Sequence, residues 1–299
     1  ALYIGELALD GRLRGVRGAV PAAFFARENG MELFVPPENA AEVSIVEGVR
    51  AWSVPDLQSL VMHLRGEKSL ETIEKREIEC AEPAADPDFS EIKGQAAAKR
   101  ALEIAAAGHH NILFIGSPGS GKTMLAKALR GILPPLSDDE LMEVMMLRST
   151  AGLPFVLSRE RPFRAVHHTA TTAAICGGGS WLRPGEISLA SRGVLFLDEF
   201  PEFQRDVIEA LRQPLEDGSI TVSRVSGSVT YPAKVLVVAA CNPCPCGYAG
   251  DPEQKCICSA ASLERYRRKL SGPILDRIDL HIPVPRLTPE ELVSPSETS

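Results

Sequence analysis

Apolar runs of strand length recur through the later two thirds of the chain. They cover residues 111–115, 194–197 and 235–240, and stretches with helical periodicity separate them. Uninterrupted apolar strands that alternate with helices are typical of a parallel sheet covered on both faces. The pattern therefore predicts an α/β domain over residues 89–299.

The first 66 residues have a different pattern, which predicts a smaller α/β unit. Residues 2–9 alternate between apolar and polar like a strand, and Asp10-Gly11 marks a turn into a second strand over 12–16. Helices are predicted over 21–28 and 55–64, the latter opened by Ser53 or Pro55, with a short strand over 32–35.

Residues 67–88 separate the two predicted domains. Glu, Lys and Arg dominate the first half, which is typical of a charged strand or helix edge, and the second half reads as a Pro-containing linker. The predicted division is a partial N-terminal module over 1–66, a linker over 67–88 and a core over 89–299.

Composition restricts the class of protein. The 299 residues are 44% hydrophobic and 24% charged, as expected of a globular protein with a real core. No apolar run of about 18 residues and no cleavable leader is seen, so we expect a soluble, cytoplasmic protein. The net charge of −7 argues against a generally nucleic-acid-binding surface, so any such surface must be local.

A glycine-rich motif follows the first apolar run and opens a helix predicted over 124–129. In this strand–loop–helix context the motif binds a nucleoside triphosphate with Mg²⁺. Its backbone N–H groups surround phosphate, its lysine contacts the β- and γ-phosphates, and its threonine hydroxyl is a magnesium ligand. The alternative is a Gly-rich loop that matches the motif by chance. The motif residues are Gly116, Ser117, Pro118, Gly119, Ser120, Gly121, Lys122 and Thr123.

Two further apolar strands end in polar residues suited to phosphoryl transfer. Asp198 follows one strand and can hold Mg²⁺, while Glu199 beside it can activate the attacking water as a general base. Asn242 follows the next strand and can orient that water near the γ-phosphate. The alternatives are an acidic turn at the strand end and a turn asparagine before Pro243.

Arg277 lies in an apolar context, where an unpaired guanidinium is costly. We interpret it as a finger that reaches the γ-phosphate bound by a neighbouring subunit. The alternative is an internal ion pair with Asp276 or Asp279.

Four of the seven cysteines form two Cys-x-Cys pairs, Cys244/Cys246 and Cys256/Cys258. Four thiolates at this spacing can close a tetrahedral site, which favours structural Zn²⁺. An iron–sulfur cluster and free or oxidised thiols are the alternatives. The pairing also indicates a reducing compartment.

Taken together, these motifs resemble the Mg-chelatase-like AAA+ ATPases of the bacterial ComM/YifB group. The resemblance extends over essentially the whole chain. Its marks are Lys93-Gly-Gln-Ala96, Arg161-Pro-Phe-Arg164 with His167-His168, Gly177-Gly-Gly179, Pro184-Gly-Glu-Ile-Ser-Leu-Ala190, Leu197-Asp-Glu-Phe200, Asn242-Pro-Cys-Pro-Cys-Gly247 and Leu275-Asp-Arg-Ile-Asp279.

The resemblance implies a P-loop AAA+ core: a parallel sheet flanked by helices, with helix-2 and pre-sensor-1 insertions. It implies that part of a Lon-protease-like (ribosomal S5 domain-2-like) α/β module precedes this core. It also implies that the C-terminal lid is absent from this sequence, so we expect weak hydrolysis and weak ring assembly from this piece alone.

The resemblance further implies a homo-oligomeric ring, expected to be a hexamer, that binds ATP between protomers. The implied output is movement on single-stranded or branched DNA, as a helicase or translocase that promotes branch migration in transformation and recombination. The rivals are a magnesium-chelatase-type subunit that drives metal insertion into porphyrin, and a nucleotide-gated scaffold that hardly turns over.

Two segments are candidate DNA contacts by the same resemblance. One is the glycine-rich tip over 177–180, and the other is a hairpin predicted over 220–231 that carries Arg224. Phosphate contacts of this kind are independent of sequence and sensitive to salt. The alternative is a solvated basic face. For His167 and His168, a structural role is preferred over ligation.

Overall fold

The structure is a computed structural model that describes residues 1–75, 86–179, 182–225, 227–270, 272, 274–288 and 291. Contacts divide the chain into two compact units. The first comprises Ala1–Pro83 with Ser137–Arg159, and the second comprises Ala84–Leu136 with Glu160–Ser299. Much of the predicted linker, and Ser180 at the predicted glycine-rich tip, lie outside the described residues.

The strands and helices are named here in chain order. The strands are β1 (Leu2–Tyr3), β2 (Glu6–Leu7), β3 (Leu13–Arg14), β4 (Glu32–Val35), β5 (Arg50–Ser53), β6 (Glu71–Thr72), β7 (Ile112–Ile115), β8 (Phe163–Val166), β9 (Gly177–Gly178), β10 (Arg183–Pro184), β11 (Val194–Leu197), β12 (Ser219–Arg224), β13 (Gly227–Pro232), β14 (Leu236–Cys241) and β15 (Leu280–Pro283). The α-helices are α1 (Ala19–Glu28), α2 (Ala40–Val43), α3 (Leu57–Leu64), α4 (Ala96–Gly108), α5 (Lys122–Ile132), α6 (Asp138–Ala151), α7 (Thr172–Cys176), α8 (Glu186–Leu189), α9 (Arg205–Asp217) and α10 (Ala260–Lys269).

The first unit contains a mixed sheet in the order β1-β4-β5-β6, in which β6 is antiparallel to its neighbour and the other pairings are parallel. The predicted first strand is divided between β1 and β2, and β2 pairs with β3 across the turn at Asp10. Helix α3 begins two residues later than predicted, because Asp56, and not Ser53 or Pro55, accepts the Ser59 N–H as its N-cap.

Helix α6 belongs to the first unit although its sequence follows the glycine-rich motif. A capping box at Ser137 and Glu140 fixes its start, and the helix packs against α1. The Ser149 hydroxyl accepts the Val20 N–H at 3.2 Å and donates to Glu42 at 2.7 Å. The hydrophobic pattern does not predict that α6 packs in the first unit. The predicted division into residues 1–66, 67–88 and 89–299 stays a prediction.

The second unit is built on a five-stranded parallel sheet in the order β15-β7-β14-β11-β8. Alternate residues of the central strands enter different hydrophobic clusters. On β11, Val194 and Phe196 belong to one cluster, and Leu195 and Leu197 belong to the other. Since both faces are buried, the strands read as continuous apolar runs. This architecture confirms the predicted α/β fold with a P-loop AAA+ core.

Two small antiparallel ribbons extend from the sheet-and-helix core. Strand β9 pairs with β10, and β12 pairs with β13 from Ser219↔Pro232 to Arg224↔Gly227. The hairpin predicted from the sequence is thus present, although Ser226 in its turn lies outside the described residues.

Among the described residues, no helix combines the length and apolar character needed to cross a membrane.

Candidate functional site

Three neighbouring strands, β7, β14 and β11, deliver the predicted nucleotide-site residues to one edge of the sheet. Their pairing is parallel, with Cys241 opposite Ile115 and Leu197 opposite Ala239. Gly116, Asp198 and Asn242 are the residues that directly follow these strands. Carboxyl ends of parallel strands are where ligands bind in open α/β sheets.

The glycine-rich loop turns sharply where β7 ends. Gly116 passes so close to the chain after β15 that a Cβ there would lie 2.1 Å from the Val284 carbonyl oxygen. No side chain fits at this position, and the loop then leads into α5, which starts at Lys122. The first N–H groups of this helix have no partner within the helix, so they are available to an anion.

Lys122 is buried, with 9% of its surface exposed, and its ammonium points back into the loop. It donates to the Gly116 carbonyl at 2.7 Å and to the Ser117 carbonyl at 3.0 Å. Burial lowers the pKa of Lys122, and the charge of nearby Asp198 opposes that shift. A buried cation held at the mouth of an anion-binding loop suits a phosphate partner.

Asp198 and Glu199 follow the fully buried strand β11. Glu199 has φ 52°, in the left-handed region that residues with a Cβ rarely adopt, which costs on the order of 1 kcal/mol. Its carboxylate lies 2.7 Å from Nδ1 of His168, a buried ring nitrogen without a well-aligned hydrogen bond to any described residue. The Glu199 carboxylate thus lies beside the two histidines that follow β8.

Asn242 is joined to both the lysine and a helix. Its Oδ1 accepts from Lys122 Nζ at 3.4 Å, and its main-chain oxygen accepts from the Tyr266 hydroxyl at 2.9 Å. Tyr266 lies on α10 and is buried, and burial raises its pKa. The amide is therefore fixed in place beside the phosphate loop.

These groups surround a cleft of about 430 Å³. The cleft is lined by Pro118, Gly119, Ser120, Gly121, Lys122, Thr123, Met124, Asp198, Glu199 and Asn242.

Arg277 lies near the opposite ends of the strands, away from the phosphate loop. Its segment, the 3-10 turn Leu275–Arg277, precedes β15, whose first residue Leu280 pairs with Ile112 at the start of β7. The length of β7, roughly 13 Å at 3.3 Å per residue, therefore separates this segment from the phosphate loop. Arg277 does not line the cleft of its own chain.

The Arg277 guanidinium has an internal partner, but not one of those considered from the sequence. Its Nη2 lies 2.5 Å from Glu216 on α9, not from Asp276 or Asp279. Glu216 also pairs with Arg212 at 3.1 Å, and bonds from Arg212 and then Arg277 lower the pKa of the carboxyl group. The pair is one third exposed, so screening makes it weak.

The four paired cysteines converge. Sγ of Cys244 is 3.3 Å from that of Cys246 and 3.8 Å from that of Cys256, and Cys258 Sγ accepts the Cys246 N–H at 3.4 Å. All four sulfurs lie within 4.8 Å of one another. Backbone N–H groups of Tyr248 and Ile257 lower the pKa of Cys246 to about 6, which favours the thiolate, the form that binds metals. This set of four soft donors fits a tetrahedral metal ion.

The loop that carries these cysteines, residues 244–258, also contacts the phosphate loop. The Ser117 side chain of that loop is the largest cause of the lowered pKa of Asp251. Nearby, Gly247 lies against the ring of Pro118. The cysteine loop and the nucleotide cleft are therefore mechanically connected.

The two candidate DNA-binding segments pack together. Gly178 of β9 lies beside the Arg224 guanidinium of the hairpin, and the Tyr231 hydroxyl donates to the Leu182 carbonyl at 2.5 Å. At the hairpin turn, Val225 is fully exposed. An arginine and an apolar side chain thus share one protruding tip.

Two contacts of the site differ from what the sequence predicts. His168, for which the sequence favours a structural role, lies against Glu199, and the partner of Arg277 is Glu216 and not Asp276 or Asp279. The His167-His168 pair after a strand was the available signal for the first contact. No sequence signal marks the second, because 61 residues separate the partners.

Comparison with known proteins identifies the family. The family model described as "Magnesium chelatase, subunit ChlI" matches residues 88–292. The chain is 46% identical over 291 residues to "Competence protein ComM" of Haemophilus influenzae, covering 95% of this chain and 57% of that protein. It is 45% identical over 294 residues to "Uncharacterized protein YifB" of Salmonella typhimurium, covering 97% and 57%.

A more distant relative is "Probable DNA helicase MCM9" of Arabidopsis thaliana, 28% identical over 174 residues, which is 58% of this chain and 22% of that protein. The chain belongs to the magnesium chelatase ChlI family of AAA+ proteins, and the resemblance to its ComM/YifB group is confirmed. It spans somewhat more than half the length of the ComM and YifB proteins that it matches.

Proposed function

We propose that this chain is the nucleotide-hydrolysing part of an ATP-driven ring motor. The observation that carries the proposal is the convergence of Lys122, Asp198, Glu199 and Asn242 on one cleft. A cation, two carboxylates and an amide come from the ends of three adjacent strands, at the start of a helix. Family membership supports the same chemistry.

The residues of the cleft fit ATP with Mg²⁺, which together supply the phosphoryl group and its charge neutralisation. The backbone of Gly116–Thr123 and the Lys122 ammonium bind the phosphates, and the Thr123 hydroxyl and Asp198 hold the magnesium ion. Glu199 takes the proton of the attacking water, and Asn242 orients that water. The buried, carbonyl-bound Lys122 supports this assignment, because a phosphate satisfies the same donor.

Arg277 then acts on the nucleotide of a neighbouring copy. Its segment lies at the amino-terminal ends of the strands, opposite the cleft of its own chain. A nucleotide that Arg277 contacts therefore belongs to a second molecule. This arrangement supports a homo-oligomeric ring, proposed to be a hexamer.

DNA is the proposed track of the motor, and branch migration in transformation and recombination is its proposed task. The names of two relatives, a competence protein and a probable DNA helicase, support this. In the structure, Arg224 and Val225 at the tip of the β12–β13 hairpin offer a cation and an apolar contact to a strand.

We also propose that Cys244, Cys246, Cys256 and Cys258 hold a structural Zn²⁺ ion, since their sulfurs form a compact set of soft donors. Four cysteines paired in this way are typical of a metal site in a reducing compartment, which supports the proposed cytoplasmic location.

The rival functions are a chelatase subunit acting on porphyrin and a nucleotide-gated scaffold. The family's description supports the first. Against the second, the general-base candidate Glu199 is present and faces the cleft. Measuring turnover by the complete protein alone, with single-stranded or four-way DNA, and with a porphyrin and partner subunits separates these functions.

The direct test is ATP binding and turnover by Lys122→Ala. We expect loss of binding, because the buried cation is removed from the phosphate site. Lys127→Ala is the matched control, since it removes an exposed lysine from the same helix. Calorimetry with ATP and magnesium that shows equal affinity for wild type and Lys122→Ala would overturn the proposal.

A further inference from the structure

Asn111 lies directly before β7 and uses every polar group it has. Its side-chain Nδ2 donates to the Arg277 carbonyl at 2.8 Å, and its Oδ1 accepts the Val237 N–H at 2.8 Å. Its main-chain N–H donates to Asp279 at 3.0 Å, and its carbonyl accepts the Leu280 N–H at 3.1 Å. One residue thus joins the Arg277 segment to the start of β7 and to β14.

These bonds fix the main chain of Arg277 and leave its side chain able to turn. The guanidinium is paired with the partly exposed Glu216, a partner it can exchange for a phosphate. The backbone anchor, by contrast, starts from the half-buried Asn111 and holds Arg277 itself and Asp279, two residues after it. The position from which Arg277 reaches outward is therefore set by Asn111.

The same bonds connect the two ends of the strands. Strand β7 leads from Asn111 to the phosphate loop, and β14 leads from Val237 to Asn242. Strands β7 and β14 are short and hydrogen-bonded to each other, so they are stiff. A shift at the Asn111 end of these strands is therefore transmitted to the end that carries the phosphate loop and Asn242. The Asn111 amide is the point at which that pair is joined to the Arg277 segment.

We propose that Asn111 is the positioning residue for Arg277. Asn111 binds the Arg277 carbonyl and the Val237 N–H at once. It thereby fixes the position of Arg277, which acts on a neighbouring copy, relative to the strands that form the nucleotide cleft of its own chain. This inference rests on the proposed action of Arg277 on a neighbour.

Asn111→Asp isolates this role in the complete protein. The aspartate keeps an acceptor for the Val237 N–H but replaces the donor that faces the Arg277 carbonyl. We expect ATP affinity within about twofold of wild type and turnover lowered about tenfold or more, since displacing a reacting group by about 1 Å can cost a hundredfold. Asp279→Ala, which removes the second anchor of the segment, should behave alike and serves if Asn111→Asp does not fold.

Mixed oligomers distinguish positioning from general damage. A protomer with Asn111→Asp has a sound cleft and a misplaced arginine, whereas a Lys122→Ala protomer has a sound arginine and no nucleotide. Adding Lys122→Ala protomers should therefore raise turnover per Asn111→Asp protomer. Adding Arg277→Ala protomers should not, because they offer no arginine.

Asn39→Ala is the stability control. Asn39 anchors a loop of the first unit through the same two amide bonds, to the Val16 N–H at 2.9 Å and its carbonyl at 2.8 Å. Its loss should lower the melting temperature to a similar extent and leave turnover unchanged.

The outcomes separate the two hypotheses. Full turnover by Arg277→Ala protein would contradict the proposed action on a neighbour, and with it this inference. Impaired Arg277→Ala together with unimpaired Asn111→Asp would overturn the positioning role alone. So would an Asn111→Asp defect that Lys122→Ala protomers do not relieve.

Discussion

Gly247 packs directly on Pro118, so that a Cβ on Gly247 would lie 2.8 Å from Cδ of the proline. The loop with the four clustered cysteines is thereby in contact with the loop proposed to hold phosphate. This contact makes the geometry of one loop depend on that of the other.

Gly247→Ala should weaken ATP binding while the cysteine cluster keeps its metal. The added methyl group displaces Pro118, and overpacking of this kind costs about 1–3 kcal/mol, or roughly tenfold in affinity. The control is Gly250→Ala, because Gly250 has a similar φ of +81°, and a Cβ added there would meet no described atom within 4 Å. Titration with a fluorescent ATP analogue, alongside metal analysis, measures both. Equal affinities of the two variants would refute the mechanical link.

Thiol reactivity should report the metal at the cysteine cluster. At pH 8 a thiol reagent should modify Cys246 quickly only after a chelator removes the metal, because the pKa of Cys246 is lowered to about 6 whereas those of Cys256 and Cys258 are raised. Burial raises the pKa of Cys176 to about 11 and that of Cys241 to about 12, so about 0.1% or less of either is thiolate and both stay slow. A Cys80→Ser background removes the cysteine outside the described residues. Fast modification of Cys246 without chelator, and far less than one zinc per chain, would argue against a metal site.

Glu199→Gln should bind ATP as wild type does and hydrolyse it at least about a hundredfold more slowly. The amide keeps the size of the side chain and loses the basic oxygen that receives the proton. Glu202→Gln is the control, an exposed acid in the adjacent turn that pairs with Lys269. Single-turnover hydrolysis with saturating ATP separates the chemical step from binding, and an unchanged rate in Glu199→Gln would exclude Glu199 as the base.

Arg224→Ala should weaken binding of single-stranded DNA for all sequences alike. If the guanidinium contacts one phosphate, the slope of log affinity against log salt should fall by about one unit of charge, or about 0.7. Arg50→Ala, an exposed arginine of the first unit, should leave the slope unchanged. Fluorescence anisotropy at several salt concentrations measures this, and identical slopes in all three proteins would remove Arg224 from the DNA contacts.

The sequence predicted the central strands well because they are buried on both faces. The bounds 194–197 are those of β11, β7 begins one residue later than predicted, and β14 is shifted by one residue at both ends. The edge strands β8 and β15 were not predicted. Phe163–Val166 includes Arg164, which pairs with Glu186, and β15 alternates in exposure, so neither shows an apolar run.

The candidate site was predictable where residues are close to their motif and less so where tertiary contacts decide. The phosphate loop and the acidic pair follow strands directly, and the structure brings them together, while their catalytic roles stay predictions. Glu216, by contrast, meets Arg277 because α9 packs beside the 3-10 turn, and Asn111 matters through partners more than 120 residues away. Such contacts follow from packing and have no local signature.

The separation of Arg277 from its own cleft has a consequence for symmetry. If the copies all point the same way, a subunit that offers an arginine at one end of its strands and receives one at the other makes a head-to-tail contact. Such a contact completes every cleft when the array closes into a ring, and an array that fails to close keeps growing. If Arg277 acts as proposed, dilution to single chains should silence every cleft at once.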